Sequence, residues 1–285
     1  INDLGFKGLV ITDALDMKAI VDFSKGDYPD VSALNAGNDL LLMPTDVAKS
    51  IKELKKAIQK NKISTKTLEK AVKKNLMAKY KSGLNNFKPI ETENIVEDLN
   101  QDIDYALLDR LAEDSMTLVK NHNTNLPLSI SDQKSIGYIN MGDDSYNTFL
   151  KYLNKYSKVD HIYQNNKDSL IEISKNYDKV IVGLHKSDKS PFGEYKFTED
   201  EISIINHLKK ITDLTLVVFS KPYSIFDLNI DDIQSILIAY QNSSVFQEKA
   251  AQAIFGAINV KGKLPVTINK DIPVNTTIKL KKKRF

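Results

Sequence analysis

Cysteine and tryptophan are both missing from this 285-residue chain. Without cysteine there can be no disulfide, no thiolate nucleophile and no cysteine-ligated metal. That absence fits a reducing cytoplasm and a cysteine-poor periplasmic or secreted bacterial protein alike, so it leaves the compartment open. No apolar run approaches the ~20 residues needed to span a bilayer. The opening Ile1-Asn2-Asp3-Leu4-Gly5 lacks methionine, a basic lead and an apolar core, so it does not read as a signal peptide. The chain is therefore expected to be a fragment of a longer polypeptide. An excess of one charge sign is lacking too: 40 basic residues face 37 acidic ones, which gives no reason to expect a nucleic-acid partner. The one local excess, Lys279-Leu280-Lys281-Lys282-Lys283-Arg284, reads as a solvated chain end, with a patch for anionic lipid or RNA as the alternative.

What is present is an ordinary globular composition, 41% hydrophobic and 27% charged, which argues against disorder. Residues 1–84 alternate strand and helix. Gly8-Leu9-Val10-Ile11-Thr12 and Asp39-Leu40-Leu41-Leu42-Met43 are short apolar runs without alternation, the pattern of strands buried on both faces. A helix is expected from Ala14 to about Phe23. Val47, Ile51, Leu54 and Ile58 form one apolar stripe on the next, and a third, capped by Ser64, carries Leu68, Val72, Leu76 and Tyr80 until Gly83 ends it. Two strands do not close a domain, so this region is expected to be the end of something larger. Residues 85–104 hold Pro89 and many Asn, Asp and Glu with few apolar anchors, the composition of a linker. Residues 105–285 then read as a second α/β domain. Strands are predicted at 135–140, 158–163, 179–184, 214–219 and 233–240, with helices at 145–156, 167–176, 198–211 and 244–255. Such alternation implies an open, mostly parallel sheet covered on both sides.

Asp13 lies between a predicted strand and a predicted helix. In an α/β barrel that is the C-terminal face, where a carboxylate could serve as nucleophile, general base or metal ligand. The same position suits a helix N-cap. The wider string Leu4-Gly5-Phe6-Lys7-Gly8-Leu9-Val10-Ile11-Thr12-Asp13-Ala14-Leu15-Asp16-Met17-Lys18-Ala19-Ile20 closely resembles the nucleophile segment of glycoside hydrolase family 3. Further resemblances follow in the family's order. Ala36-Gly37-Asn38-Asp39-Leu40-Leu41-Leu42-Met43-Pro44 looks like its last barrel strand, and Lys79-Tyr80-Lys81-Ser82-Gly83-Leu84 like the end of its barrel domain. Ala112–Asn121 with Leu126-Pro127-Leu128 resembles the start of its second domain, and Ala250–Ile268 the end of it. The resemblance implies the last βα units of an incomplete TIM-type barrel followed by an open α/β sandwich domain. It also implies a covalent glycosyl-enzyme formed on Asp13, a carbohydrate substrate, and neither metal nor cofactor.

Within the family, glucosidase-like members usually carry tryptophan after the nucleophile. N-acetylglucosaminidase-like members carry Thr-Asp-Ala-Leu followed by Met, as at Thr12–Met17 here, and this chain has no tryptophan. The resemblance therefore implies β-N-acetylhexosaminidase activity, with peptidoglycan-derived sugars as a candidate source. A retaining mechanism needs a second group to protonate the leaving oxygen and activate water. In that branch the role falls to a histidine–aspartate pair in a Lys-His-Phe-Pro-Gly-type segment upstream of the nucleophile, which these 285 residues lack. The sugar-binding arginine and lysine of the barrel are likewise outside them. The missing N-terminal half of the barrel is thus an implied partner, and the chain alone is expected to be inactive. In glucosidase-like members the acid is a second-domain glutamate; Glu194, on the loop from His185 to Lys196, would be that acid here, or else an ordinary solvated side chain.

The remaining candidates read mostly as structural. His122, His161, His185 and His207 show none of the helical spacings that chelate metal. His185, at a strand end, could face a crevice or be structural. Asp16 is expected in a first helical turn and Asp39 at the barrel face associated with stability. Met17 could touch substrate or pack. A nucleotide-binding reading of the second domain meets no glycine-rich phosphate motif, and the turn Met141-Gly142-Asp143-Asp144 is acidic where a pyrophosphate needs bare amides. A last alternative is a non-catalytic interaction module, with a further C-terminal domain as a possible neighbour.

Overall fold

The computed structural model describes residues 3, 5–23, 28–130, 134–143, 147–163, 166–187, 190 and 192–283. The chain divides into two compact units, Ile1–Ile95 and Val96–Phe285. No helix among the described residues is long and apolar enough to cross a membrane.

The first unit runs β1 (Ile11–Ala14), α1 (Lys18–Phe23), α2 (Pro29–Asn35), β2 (Leu40–Leu42), α3 (Val47–Gln59) and α4 (Thr65–Lys81), with α5 (Ile95–Leu99) at its boundary. Local chemistry sets the helix ends. Asp46 caps α3 by accepting the Lys49 amide, Ser64 caps α4 by accepting that of Thr67, and Gly83 follows α4 at φ 78°, a backbone only glycine adopts at no cost. β1 and β2 pair in parallel. Among the described residues they form a two-stranded sheet and no closed barrel. A small core of Val31, Leu34, Ala57, Ile63 and Ala71 holds the helices together.

Two expectations for this unit need correction. The strands are not buried on both faces: Ile11 is 51% and Leu42 41% exposed. A parallel strand is buried only when cover and neighbours surround it, and here each strand has one described partner. On α4, Val72, Leu76 and Tyr80 of the apolar stripe are exposed, and Ala71 is the helix's one buried residue. The first strand also runs on through Asp13 to Ala14, so α1 starts four residues later than predicted.

The second unit contains α6 (Asp102–Ser115), β3 (Thr117–Asn121), β4 (Ile136–Gly142), α7 (Asn147–Leu153), β5 (Val159–His161), α8 (Lys167–Ser174), β6 (Lys179–His185), α9 (Glu199–Ile211), β7 (Asp213–Phe219), β8 (Ser235–Ile238) and α10 (Ser244–Phe255). Its sheet has the order β3-β8-β7-β6-β4-β5, parallel except for the antiparallel edge strand β3. Side chains alternate along the strands. Tyr138, Ile181, Val217 and Leu237 share one core with Ala112, Phe149 and Ile254 of α6, α7 and α10. Val180, Val182, Leu216 and Val218 share the other with Leu170, Ile205 and Leu208 of α8 and α9. Helices on both faces of the sheet make this an open α/β sandwich. The basic tail is not a loose end. Ile278 donates its amide to Leu118, Leu280 bridges Val260 in both directions, and Lys283 donates its amide to Gly256.

Candidate active site

Asp13 is the third residue of β1, at the strand's C-terminal end. Ile11 lies opposite Leu40, but Ala14 lies opposite Leu42. Three steps on β1 therefore match two on β2, which is a β-bulge containing Thr12 and Asp13. The Thr12 hydroxyl accepts the Leu42 amide at 2.9 Å, and the ladder resumes where the Leu15 amide donates to the Leu42 carbonyl at 3.0 Å. The Asp13 carboxylate is exposed and accepts the amide of Ala14 at 2.8 Å through Oδ1. It does not cap a helix: α1 begins five residues further on, at Lys18.

Two methionines flank this strand end. Met17 is 48% exposed in the turn that leads into α1, so it is not a packing residue of the first unit. Met43, which the sequence reading did not single out, leaves β2 in the left-handed region at φ 46° and is exposed. A non-glycine residue held there directly before Pro44 is strained, and its one sequence signal was that proline. Asp16 also departs from expectation. It lies in the turn before α1, whose first turn carries no acidic residue, so the helix-dipole reading does not apply.

Asp39 sits at the opposite end of the strands, where its side chain is 5% exposed. Its carboxylate accepts the Val10 amide at 2.9 Å and the Lys74 ammonium at 2.6 Å. Lys74 also donates to the Gly8 carbonyl, and the Asn75 amide to the Asp39 carbonyl. These bonds fasten α4 beneath both strands, a structural role at the N-terminal face of the sheet.

In the second unit, His185 ends β6 and pairs with Gly142 of β4. β5 lies on one side of β4 and β6 on the other, so the order of the sheet reverses between these two strand ends. His185 is fully buried. Its Nε2 lies 2.6 Å from the Tyr138 hydroxyl and its Nδ1 2.7 Å from Asn242 Oδ1, while its ring stacks on Phe219 with centroids 4.5 Å apart. The amide oxygen of Asn242 accepts, so Nδ1 carries the proton and Nε2 accepts from the tyrosine. Asn242 in turn donates to Asp143 at 3.1 Å and accepts from Gln247 at 3.0 Å. Burial pushes the imidazole pKa down to about 4, against smaller raising effects of Asn242 and Asp143. The structural alternative for His185 is the one observed. The nearby turn does not offer bare amides, because Gly142 donates to Glu201 and Asp143 to the His185 carbonyl.

Glu194 is exposed on the connection from β6 to α9. The segment after it is tied down: Lys196 meets Asp227 at 2.7 Å, Ser220 donates to the Tyr195 carbonyl, and Phe197 is buried. Asp13 and Met17 thus share one strand end in the first unit, whereas Glu194 belongs to the second. Among the described residues no group of three or more His, Asp or Glu could hold a metal ion.

Comparison with known proteins follows the same division. Residues 2–77 match the glycosyl hydrolase family 3 N-terminal domain, and residues 116–284 match the glycosyl hydrolase family 3 C-terminal domain. A curated β-xylosidase of Formosa agariphila is 26% identical over 95% of this chain. Among solved structures, a β-glucosidase of Listeria innocua superposes over 94% of the chain with a TM-score of 0.74 at 18% identity. A family 3 β-N-acetylglucosaminidase of Paenibacillus sp. str. FPU-7 superposes over 95% with a TM-score of 0.65 at 21% identity. At such identities these two likenesses concern the fold. The chain spans 44% of the xylosidase, 42% of the glucosidase and 53% of the N-acetylglucosaminidase.

Proposed function

Since the chain belongs to glycosyl hydrolase family 3, we propose that it is part of a retaining β-glycoside hydrolase in which Asp13 is the nucleophile. The observation that carries this reading is the Asp13 carboxylate, exposed at the C-terminal end of β1 and uninvolved in any helix cap. A retaining glycosidase needs an ionised carboxylate that reaches the anomeric carbon, forms the glycosyl-enzyme as the aglycone leaves, and yields the sugar to water in a second step. The substrate class is terminal β-N-acetylglucosaminides, such as those derived from peptidoglycan. Support for that choice comes from the Thr12–Met17 string and from the absence of tryptophan. Met17, exposed on the turn after the nucleophile, would then contact the sugar. On this reading the acid/base group is none of these 285 residues, which hold no Lys-His-Phe-Pro-Gly-type segment.

The test is Asp13→Asn in a form of the enzyme that turns over aryl β-glycosides. Loss of the covalent route is expected to lower kcat by at least about 10⁴-fold with an unchanged unfolding transition. A mechanism-based fluorosugar should label Asp13, as read by peptide mass spectrometry. A near-normal rate for the variant, or a label elsewhere, overturns the assignment.

A second reading is a β-glucosidase- or β-xylosidase-type exo-hydrolase whose acid/base is Glu194. It is favoured by the name of the Formosa relative and by the exposure of Glu194 beside an anchored segment. Comparing aryl N-acetylglucosaminide with aryl glucoside and xyloside separates the two. Glu194→Gln should leave turnover unchanged under the first reading and abolish it under the second.

A further inference from the structure

We propose that Thr12 is the positioning residue for Asp13: its hydroxyl accepts the Leu42 amide across the strand pair and thereby holds the bulge that presents the carboxylate. The proposal rests on Asp13 as the nucleophile and adds how it is aimed. In a parallel pair the ladder bonds are evenly spaced. They start here at the Val10 carbonyl, which accepts the Leu40 amide at 3.1 Å and the Asp39 amide at 2.7 Å. Two residues on, the same pattern would bring the Leu42 amide to the carbonyl of residue 12 and the amide of residue 14 to the Leu42 carbonyl. The register departs from this pattern, because Ala14 and not Asp13 faces Leu42. The Leu42 amide donates to the side-chain oxygen of Thr12 at 2.9 Å, beside the shifted ladder, and the Leu42 carbonyl accepts from Leu15 instead of Ala14.

The displaced Ala14 amide donates to Asp13 Oδ1 at 2.8 Å. That bond fixes one carboxylate oxygen against the strand, and among the described residues Oδ2 accepts no hydrogen bond. The slip in register thus does two things at once. It turns a ladder donor towards the carboxylate, and it brings the Leu42 amide onto the Thr12 hydroxyl. That second bond needs a side-chain acceptor on residue 12, which threonine supplies and valine lacks. Threonine suits the place further because β-branching restricts χ1, so the hydroxyl stays aimed at β2. Bulges commonly re-aim a side chain beside an active site. Geometry matters to about an ångström in covalent catalysis, so loosening the bulge should slow the chemical step more than it weakens binding.

Thr12→Val keeps shape and β-branching but removes the acceptor, and Thr12→Ser keeps the acceptor. In the 285-residue chain, amide exchange at Leu42 should quicken roughly tenfold in Thr12→Val and stay near the parent value in Thr12→Ser. In the form of the enzyme that turns over aryl glycosides, Thr12→Val should lose about 10- to 100-fold in kcat with little change in KM, and Thr12→Ser should recover most of it. All three proteins should melt within a few degrees of one another. Unchanged exchange at Leu42 overturns the proposal, as does a Thr12→Val enzyme with normal kcat. A serine variant as poor as valine, or a loss that follows the melting temperature, does the same. These outcomes are separate from the Asp13→Asn test. If that variant stays active, the nucleophile assignment falls whatever happens at Leu42.

Discussion

A buried histidine that stays neutral makes the fold sensitive to acid, and His185 is such a residue. Its ring is fully buried, both nitrogens are engaged, and the pKa is pushed down to about 4 by burial. In the unfolded chain it should titrate near 6.5. Between these values the unfolded state binds the extra proton, so stability is fully present above about pH 6.5 and is lost as the pH falls towards 4. From pH 7 to pH 5 the loss should be about 2 kcal/mol in the unfolding free energy of the second unit. Urea titrations at the two pH values measure it, and His185→Gln should flatten the dependence. Gly183 supports the same site: a Cβ there would approach both His185 Nε2 and the Tyr138 hydroxyl at 2.7 Å. The strand-end position of His185 was legible in the run Lys179–Leu184. Its neutrality was not, because the partners that define it, Tyr138 and Asn242, lie 47 and 57 residues away in the chain.

Between elements, the bonds that fix the first unit concentrate on one pair. Lys74 reaches from α4 to Asp39 and to the Gly8 carbonyl, so a single ammonium joins the helix to the approaches of β1 and β2. Lys74→Met removes that charge while retaining much of the apolar stem. It leaves a nearly buried carboxylate with only its backbone donor, and should cost roughly 2–3 kcal/mol, less than a fully buried pair because Lys74 remains partly exposed. Protection of the Leu40 and Leu42 amides in hydrogen exchange should fall with it, while amides in β6 and β7 stay protected. At this scale the capped helices were the legible part, since Ser64 and Gly83 act within one turn of their own position. β3 was missed: Thr117–Asn121 is an antiparallel edge that exists only through pairing with β8, more than a hundred residues later. Burial of β1 and β2 was misjudged for a related reason. Apolar spacing identifies the face that needs a neighbour, but not whether a neighbour is at hand.

For the molecule as a whole, the consequence is an uneven surface. The second unit buries two continuous cores on either side of a six-stranded sheet. The first buries five apolar side chains in its core and leaves Ile11, Leu42, Met43, Val47, Ile51, Val72, Leu76, Met77 and Tyr80 exposed. A second exposed stripe runs along α5 and α6, where Leu99, Ile103, Leu107 and Leu111 recur every four residues. Apolar stretches of this extent on a monomer attract partners or hydrophobic ligands. The 285-residue polypeptide should therefore bind a hydrophobic dye at neutral pH in its folded state. Leu76→Lys and Leu107→Lys together should reduce that binding with less than about 0.5 kcal/mol change in stability, because exposed positions contribute little to the folded core. A folded chain that binds no dye would mean that these faces are covered in solution. The same polypeptide should hydrolyse no aryl glycoside by itself, since it lacks the Lys-His-Phe-Pro-Gly-type segment. Turnover by these residues alone, lost on Glu194→Gln, would instead transfer the acid/base role to the second unit and with it the substrate class to glucosides or xylosides.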